Sequence, residues 1–438
     1  MRVVIELRPS PELISAAADS VAGISASAIT GEVPGFSVDP GYAPVAIPSG
    51  VPEVADTSRG DNGSHLVRGE IPDGDPAARA AVAGTPGVVG IFADPVIEPV
   101  LTCGDTGPVG TWKEIAGLLG RDELTAAGLT GEGVAVAVLD TGINAAAVQR
   151  VSGATIAIDA SRSWNPAGVT GKAGEFPVDH GTMCAFDALI AAPRATFLDI
   201  PLLQSTRSGG SRMDGLLSDA LAAFAHLRTV LTAQPEDRRS LVISNSWGSF
   251  APQWDFPVGD PGNYSDNPDH PFNIIVASLD AAGADILFAA GNCGRDCPDG
   301  RCTYPDRPIT GANSHPAVLS VGGVDTGRQR IGYSSQGPGR LSDQKPDLCS
   351  YSHFLGSTAF GAGVPDTGTS TACPVLAGVV AAFRTRWSAT EVPPARLREL
   401  LRSTAADRAG TGFDYDYGYG IAEPRALLAE LRKVAARA

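Results

Sequence analysis

From residue 111 onward, short and almost uninterrupted apolar runs alternate with longer stretches whose apolar positions recur every three or four residues. The run at 134–139 (VAVAVL) has no polar position on either face, as expected of a strand buried on both sides. Similar runs occupy 195–203, 241–244, 286–290 and 317–321. Helical spacing marks 213–232 and 272–282 between them, then 369–387, 395–405 and Pro424–Ala435 after them. This alternation predicts an α/β fold with a mostly parallel central sheet and helices on both faces. In such sheets ligands bind beyond the carboxyl ends of the strands.

The first hundred residues follow another pattern. Arg2–Leu7 alternates like a strand, and 11–21 has helical spacing. Residues 30–61 are rich in Pro, Gly and Ser and read as loop. A strand at 65–71, a helix at 75–83 and a strand at 88–97 follow. Together they predict a small α+β unit over 1–101, a Gly/Pro linker over 102–110, and the α/β unit over 111–438. A chain of 438 residues fits two domains better than one.

Composition narrows the partners. With 43% apolar residues the chain can bury a large core, yet no apolar run reaches the length of a membrane span. A net charge of -15 argues against nucleic acid, whose phosphates need a basic face. No membrane or nucleic-acid partner is expected. The start, MRVVIELRPSPEL, lacks the features of a secretory signal, so a cytoplasmic location is expected, or a secreted one if the start is trimmed. Seven cysteines leave at least one without an intrachain partner.

Four residues stand where the fold would place chemistry. Asp140 closes the 134–139 run and is followed by Thr141-Gly142. Taken alone it fits an Asx-turn equally well. His180, in Asp179-His180-Gly181-Thr182, is the only one of six histidines that opens a helix after a Gly-bearing loop. Asn292 ends ILFAAGN, a place also suited to a left-handed turn residue. Ser370 begins the helix after Gly368-Thr369, where serine is usually a cap, and Pro374 suits the first turn. Singly each has a structural reading. As an ordered set (Asp, His, Asn, Ser, each at a strand end or helix start) they point to nucleophilic catalysis.

The blocks VAVLDTGI, DHGTMCA, SNSWG, AAGN and GTSTACP resemble those of the subtilisin-like serine proteases, the subtilase family. More diffuse matches at SSQGP, KPD and YGYGIAEPRAL extend the resemblance over roughly 111–428. It implies the three-layer subtilisin-like fold and a serine endopeptidase. In that reading Ser370 is the nucleophile, His180 the base and then acid, Asp140 the group that orients the imidazole, and Asn292 an oxyanion donor. An extended peptide or protein substrate would pair with Ser246-Trp247-Gly248, with Ala289, Ala290 and Gly291 forming the other wall. Trp247 either shapes a neighbouring subsite or packs in the core. The segment 75–99 resembles the end of a subtilisin propeptide, which implies that the N-terminal unit is an intramolecular inhibitor with its tail in the site.

Several features depart from the family pattern. Cys184 falls one helical turn after His180 and is expected buried beneath it. Phe186 stands where small residues are usual, and Cys373 reads as a small buried hydrophobe. Cys293, Cys297 and Cys302 allow one tight disulfide, free thiols or three zinc ligands, and Cys349 could join them only through the fold. The insertion 253–271 carries Asp255, Asp260, Asp266 and Asp269. It could bind calcium or be a solvated loop, and no cofactor or metal is required for the chemistry. The alternatives to a general endopeptidase are a dedicated protease for one peptide precursor and a catalytically silent peptide-binding scaffold. A sedolisin-like acid peptidase would have a carboxylate in place of His180.

Overall fold

A computed structural model describes residues 1–8, 33–48, 64–72, 76–99, 102, 107–204, 213–408, 410 and 412–435. The helix expected over 11–21 and part of the linker lie outside these residues.

In the N-terminal unit, β1 (Arg2–Leu7), β2 (Ser37–Val38), β3 (Val45–Ala46), β4 (His65–Glu70) and β5 (Val88–Ala93) form an antiparallel sheet, with α1 (Pro76–Ala83) packed on β5. The Pro/Gly-rich stretch thus contributes two short strands on β4. Along β1 the side chains of Val3, Ile5 and Leu7 enter the unit's own core, whereas Val4 joins the core of the second unit. That strand is therefore buried on both faces, although its pattern reads as half-exposed.

The run expected as one strand over 88–97 breaks at Asp94-Pro95, because proline has no N–H for a ladder. Beyond the break, β6 (Val96–Ile97) leaves the sheet and pairs with the second unit.

That unit contains α2 (Trp112–Leu118), α3 (Arg121–Ala126), β7 (Ala135–Leu139), α4 (Ala145–Ser152), β8 (Ala157–Ile158), α5 (His180–Ala191), β9 (Thr196–Ile200) and β10 (Gly215–Leu216). There follow α6 (Leu217–Thr232), β11 (Leu241–Asn245), α7 (Pro271–Ala281), β12 (Ala284–Ala289), β13 (Leu319–Val324), β14 (Leu348–Tyr351), α8 (Thr369–Arg384), α9 (Pro394–Thr404) and α10 (Pro424–Ala435). Seven strands form one sheet in the order β14-β13-β12-β11-β7-β9-β8, and every neighbouring pair is parallel.

The uninterrupted apolar runs follow from this layering. Val136, Val138, Val242 and Leu287 point into the core under α5 and α8, while Ala137, Leu139, Ile243 and Phe288 point into the core under α6 and α7. The helix expected from 213 starts at Leu217, because Gly215 and Leu216 are taken by β6. No helix of the described residues is long and apolar enough to cross a membrane.

The two units share an extensive contact. Asp94 caps α6 from outside, accepting from Ser218 N–H (2.8 Å) and Ser218 Oγ (2.9 Å). Arg68 reaches Asp219 on the same helix at 2.7 Å. On the other side the insertion grips the N-terminal unit. Asp260 takes a bidentate pair from Arg79 (2.8 and 2.6 Å), Gly262 O accepts from Ala93 N–H (2.9 Å), and Phe256 sits in the N-terminal core beneath the Arg79 guanidinium. His270 completes the grip, with Nε2 3.1 Å from Ala93 O and Nδ1 accepting from Phe272 N–H.

Candidate active site

The strand order reverses direction at β7. The chain leaves β7 toward β9 and β8, then returns to the other side as β11. The carboxyl ends of β7 and β11 therefore flank a crevice. Asp140 is the first residue beyond β7, Ser246 the first beyond β11, and Ala290 the first beyond β12.

Asp140 is fixed by its own turn, its Oδ1 accepting from Thr141 N–H at 2.7 Å. The Thr141 hydroxyl accepts in turn from Gly181 N–H (2.9 Å), which ties the Asp loop to the start of α5. Gly181 must be glycine for this approach, since a Cβ there would stand 2.6 Å from Gly142 O. His180 thereby meets Asp140, with Nδ1 2.9 Å from each carboxylate oxygen. That contact makes Nδ1 the protonated nitrogen and turns Nε2 outward as the acceptor. Burial pushes the imidazole pKa down, but the Asp140 carboxylate more than offsets this, and the net direction is upward.

Ser370 stands in the first turn of α8, its N–H among those without an intrahelical acceptor. The helices bearing His180 and Ser370 touch backbone to backbone, because a Cβ on Gly378 would lie 2.1 Å from Ala188 O. Ser370 Oγ donates to Ser246 O at 3.4 Å and has no hydrogen bond to His180 among the described residues. Ser246 Oγ donates to Ser370 O at 2.9 Å, locking the helix start to β11. Cys184 Sγ marks the convergence, at 3.6 Å from Asp140 Oδ2, 3.8 Å from His180 Nδ1 and 3.6 Å from Ser370 O. Burial, with Asp140 beside it, raises that thiol well above the ordinary range, so it is no thiolate nucleophile. Asp140, His180 and Cys184 are also the only group among the described residues arranged to hold a metal ion.

Asn292 follows β12. Its Oδ1 accepts from Thr369 N–H (2.9 Å) and Thr369 Oγ1 (3.0 Å), which fixes the amide so that Nδ2 faces Gly368, next to the Ser370 N–H. All four residues singled out in the sequence are thus brought together and buried.

The segments expected to wall a substrate, Ser246-Trp247-Gly248 and Ala289-Ala290-Gly291, lie at the carboxyl ends of β11 and β12. Asn313 joins them, its Nδ2 donating to Trp247 O (2.8 Å) and to Ala289 O (2.9 Å). Nothing in GANSH announces that role. The Trp247 side chain is 1% exposed and packs on Phe272 and Phe288, in the apolar cluster that also holds Ile97. Gly248 exchanges both backbone hydrogen bonds with Glu98 (3.1 Å each), while Val96 and Ile97 pair with Leu216 and Gly215. The N-terminal unit's last strand thus lies in the cleft as an added strand.

The remaining sequence alternatives separate. Cys293 and Cys302 form a disulfide, and Cys297 is also disulfide-bonded. Cys349 is a free, buried thiol and does not join that cluster. Phe186 fits by stacking edge-on against Trp112, 5.8 Å between ring centroids. Two of the insertion's carboxylates are engaged within the protein. Asp255 accepts from the Phe256, Tyr264 and Ser265 N–H groups, and Asp260 holds Arg79.

A model described as the subtilase family matches residues 131–420. Human membrane-bound transcription factor site-1 protease is 30% identical over 168 residues, 35% of this chain. Fervidolysin from Fervidobacterium pennivorans is 28% identical over 209 residues, 44% of this chain. These matches span only 14% and 26% of the two relatives' own lengths. The crystal structure of fervidolysin, a keratinolytic enzyme related to subtilisin, aligns with 98% of this chain and 60% of its own, with a TM-score of 0.64 at 16% identity. MycP1, crystallised with its N-terminal propeptide removed, covers 72% of this chain and 96% of its own, with a TM-score of 0.51 at 22% identity. At such identities these structures show a common fold, the subtilisin-like one.

Proposed function

The chain belongs to the subtilase family, and from that premise we propose that it is a serine endopeptidase working through Asp140, His180 and Ser370. The observation that carries the reading is the paired contact of His180 Nδ1 with Asp140, on the loop that faces the start of the Ser370 helix. A peptide lies antiparallel to Ser246-Trp247-Gly248. His180 Nε2 takes the Ser370 hydroxyl proton as Oγ attacks the carbonyl carbon. Asp140 stabilises the imidazolium that forms. The oxyanion is held by Asn292 Nδ2 and Ser370 N–H at the positive end of α8. His180 then protonates the leaving amine, the acyl group stays on Ser370 Oγ, and water activated by the same imidazole releases it. Catalytic hydrogen bonds such as that between Ser370 and His180 are often loose before substrate binds.

In this reading the N-terminal unit is an intramolecular inhibitor, supported by the pairing of Glu98 with Gly248. The Cys293–Cys302 bridge supports an oxidising compartment rather than the cytoplasm. Labelling by a fluorophosphonate, compared with Ser370→Ala, tests the chemistry; a wild-type chain that neither labels nor hydrolyses peptides after limited proteolysis has removed its N-terminal unit would defeat it. A cleavage profile over a peptide library separates a dedicated precursor protease, which would cut a few related sequences, from a broad one.

A further inference from the structure

The strand seated in the cleft carries a charge that the cleft meets. Ile97 is fully buried among apolar side chains of the second unit. The next residue, Glu98, directs its carboxylate to Arg301 Nη1. Arg301 is held in place rather than free to wander. Its Nε and Nη2 grip Asp299 (3.2 and 2.7 Å), its Nη2 also donates to Pro99 O (3.3 Å), and its guanidinium lies 5.0 Å from the Phe250 ring centre. The loop that carries it is closed by the Cys293–Cys302 disulfide. Asp299 and Asp214 also face Glu98, and burial together with these carboxylates raises its pKa against the pull of Arg301. Among the described residues, Arg301 is the cation that offsets the desolvation of an acid at this place.

Register says which substrate position this is. The pairing is antiparallel, so the residue two places beyond the one opposite Gly248 falls opposite Ser246. The Ser246 carbonyl is 3.4 Å from Ser370 Oγ. The residue opposite Ser246 is therefore the one whose carbonyl Ser370 attacks.

We propose that Arg301 is a specificity-determining residue, selecting peptides with an acidic side chain two residues before the attacked one and an apolar residue immediately before that acid. The proposal rests on the peptidase reading of the cleft and deepens it. Arg301 supplies a fork already oriented by Asp299, so a carboxylate arriving with the backbone pairing meets a positioned donor, whereas a lysine offers that fork no acceptor.

The test uses the full-length chain and fluorogenic peptides Val-Ile-X-Pro-Val with X as Glu, Gln or Lys. The wild type should favour Glu over Lys by about tenfold or more in kcat/KM at pH 8. Arg301→Glu should reverse that order, and Arg301→Gln should bring the ratio close to one. Each ratio is taken within one protein, so a partly misfolded variant does not distort it. In the uncut chain, Glu98→Lys should speed fluorophosphonate labelling of Ser370, and Arg301→Glu added to it should slow labelling again. A wild-type ratio within about twofold of one, or the same ratio in Arg301→Glu, overturns the proposal. If Ser370 labels but shows no preference, only this inference fails; if Ser370 neither labels nor cleaves once limited proteolysis has removed the N-terminal unit, the peptidase reading fails with it.

Discussion

Asp187 and Asp366 face one another in the dry core behind His180, one on the histidine's helix and the other on the loop that leads to Ser370. Neither Asp187 oxygen has a hydrogen-bond partner among the described residues. Asp366 is held by Ser357, whose N–H and Oγ both donate to it. Burial, reinforced by Asp366, drives the Asp187 pKa well up, and burial lifts Asp366 to about 6. Two carboxyls so placed cannot both ionise cheaply.

A raised folded pKa means that the native state keeps its proton. The stability this pair contributes is therefore complete below the unfolded pKa near 4 and is lost as pH rises through about 6. In a Ser370→Ala background, which prevents self-digestion, the Tm of the chain should fall from pH 5 to pH 8. Asp187→Asn should flatten that decline, recovering roughly 1–3 kcal/mol at pH 8. Melting curves that run parallel for the two proteins would refute the coupling.

Activity has a different pH signature. His180 must be neutral to act as a base, and its pKa is raised because Asp140 outweighs burial. The acid limb of kcat/KM should therefore lie on the alkaline side of an ordinary histidine. Asp140→Asn should lower kcat by about 10⁴, because the imidazole loses its tautomer and its counter-charge. A variant with unaltered kcat would show that Asp140 orients nothing.

Asn292 offers a measurement confined to the transition state. Removing a donor of this kind from a subtilisin costs about 10²–10³ in kcat, and Asn292→Ala should lose a similar factor with KM little changed. A rise in KM at constant kcat would mean that the amide binds substrate only. Thermal melting on the same samples checks that the lost Thr369 contacts have not loosened the start of α8.

The far end of α8 has its own anchor. Arg384 Nε and Nη2 pair with Asp285 on β12 at 2.6 and 2.8 Å, while its Nη1 donates to the carbonyls of Trp387, Ser388 and Val392. Both partners are buried. Asp285→Ala strands a buried guanidinium and should cost about 3–5 kcal/mol in denaturant unfolding, whereas Glu399→Ala, on an exposed pair with Arg396, should cost under about 1 kcal/mol. Equal losses from the two would contradict that account.

How much of this could be read beforehand depends on where the information resides. The strand at 134–139 was legible because both of its faces are apolar, and Asp140 stood out because it ends that run. His180, Asn292 and Ser370 gained meaning only as an ordered set. The break at Asp94-Pro95 was visible as a proline, yet the partner waiting for Val96–Ile97 lies more than a hundred residues away. Asn313 and Arg301 were missed because their roles are bonds to backbone carbonyls and to a residue of another unit, and neither leaves a periodicity or a motif. At Trp247 the sequence left a subsite and a core position open, and only the fold brings its side chain onto Phe272 and Phe288.

The insertion's hold on the N-terminal unit separates two events that a peptide-bond cut would otherwise merge. Arg79 on Asp260, Ala93 on Gly262 and Phe256 in the neighbouring core all lie away from the linker. Severing the linker would disturb none of them. A processed sample would show two pieces on a reducing denaturing gel while sedimenting as one particle, with Glu98 still on Gly248. The delay before substrate turnover would then measure how slowly that particle comes apart, and its length would be written in residues 255–270 rather than at Ser370.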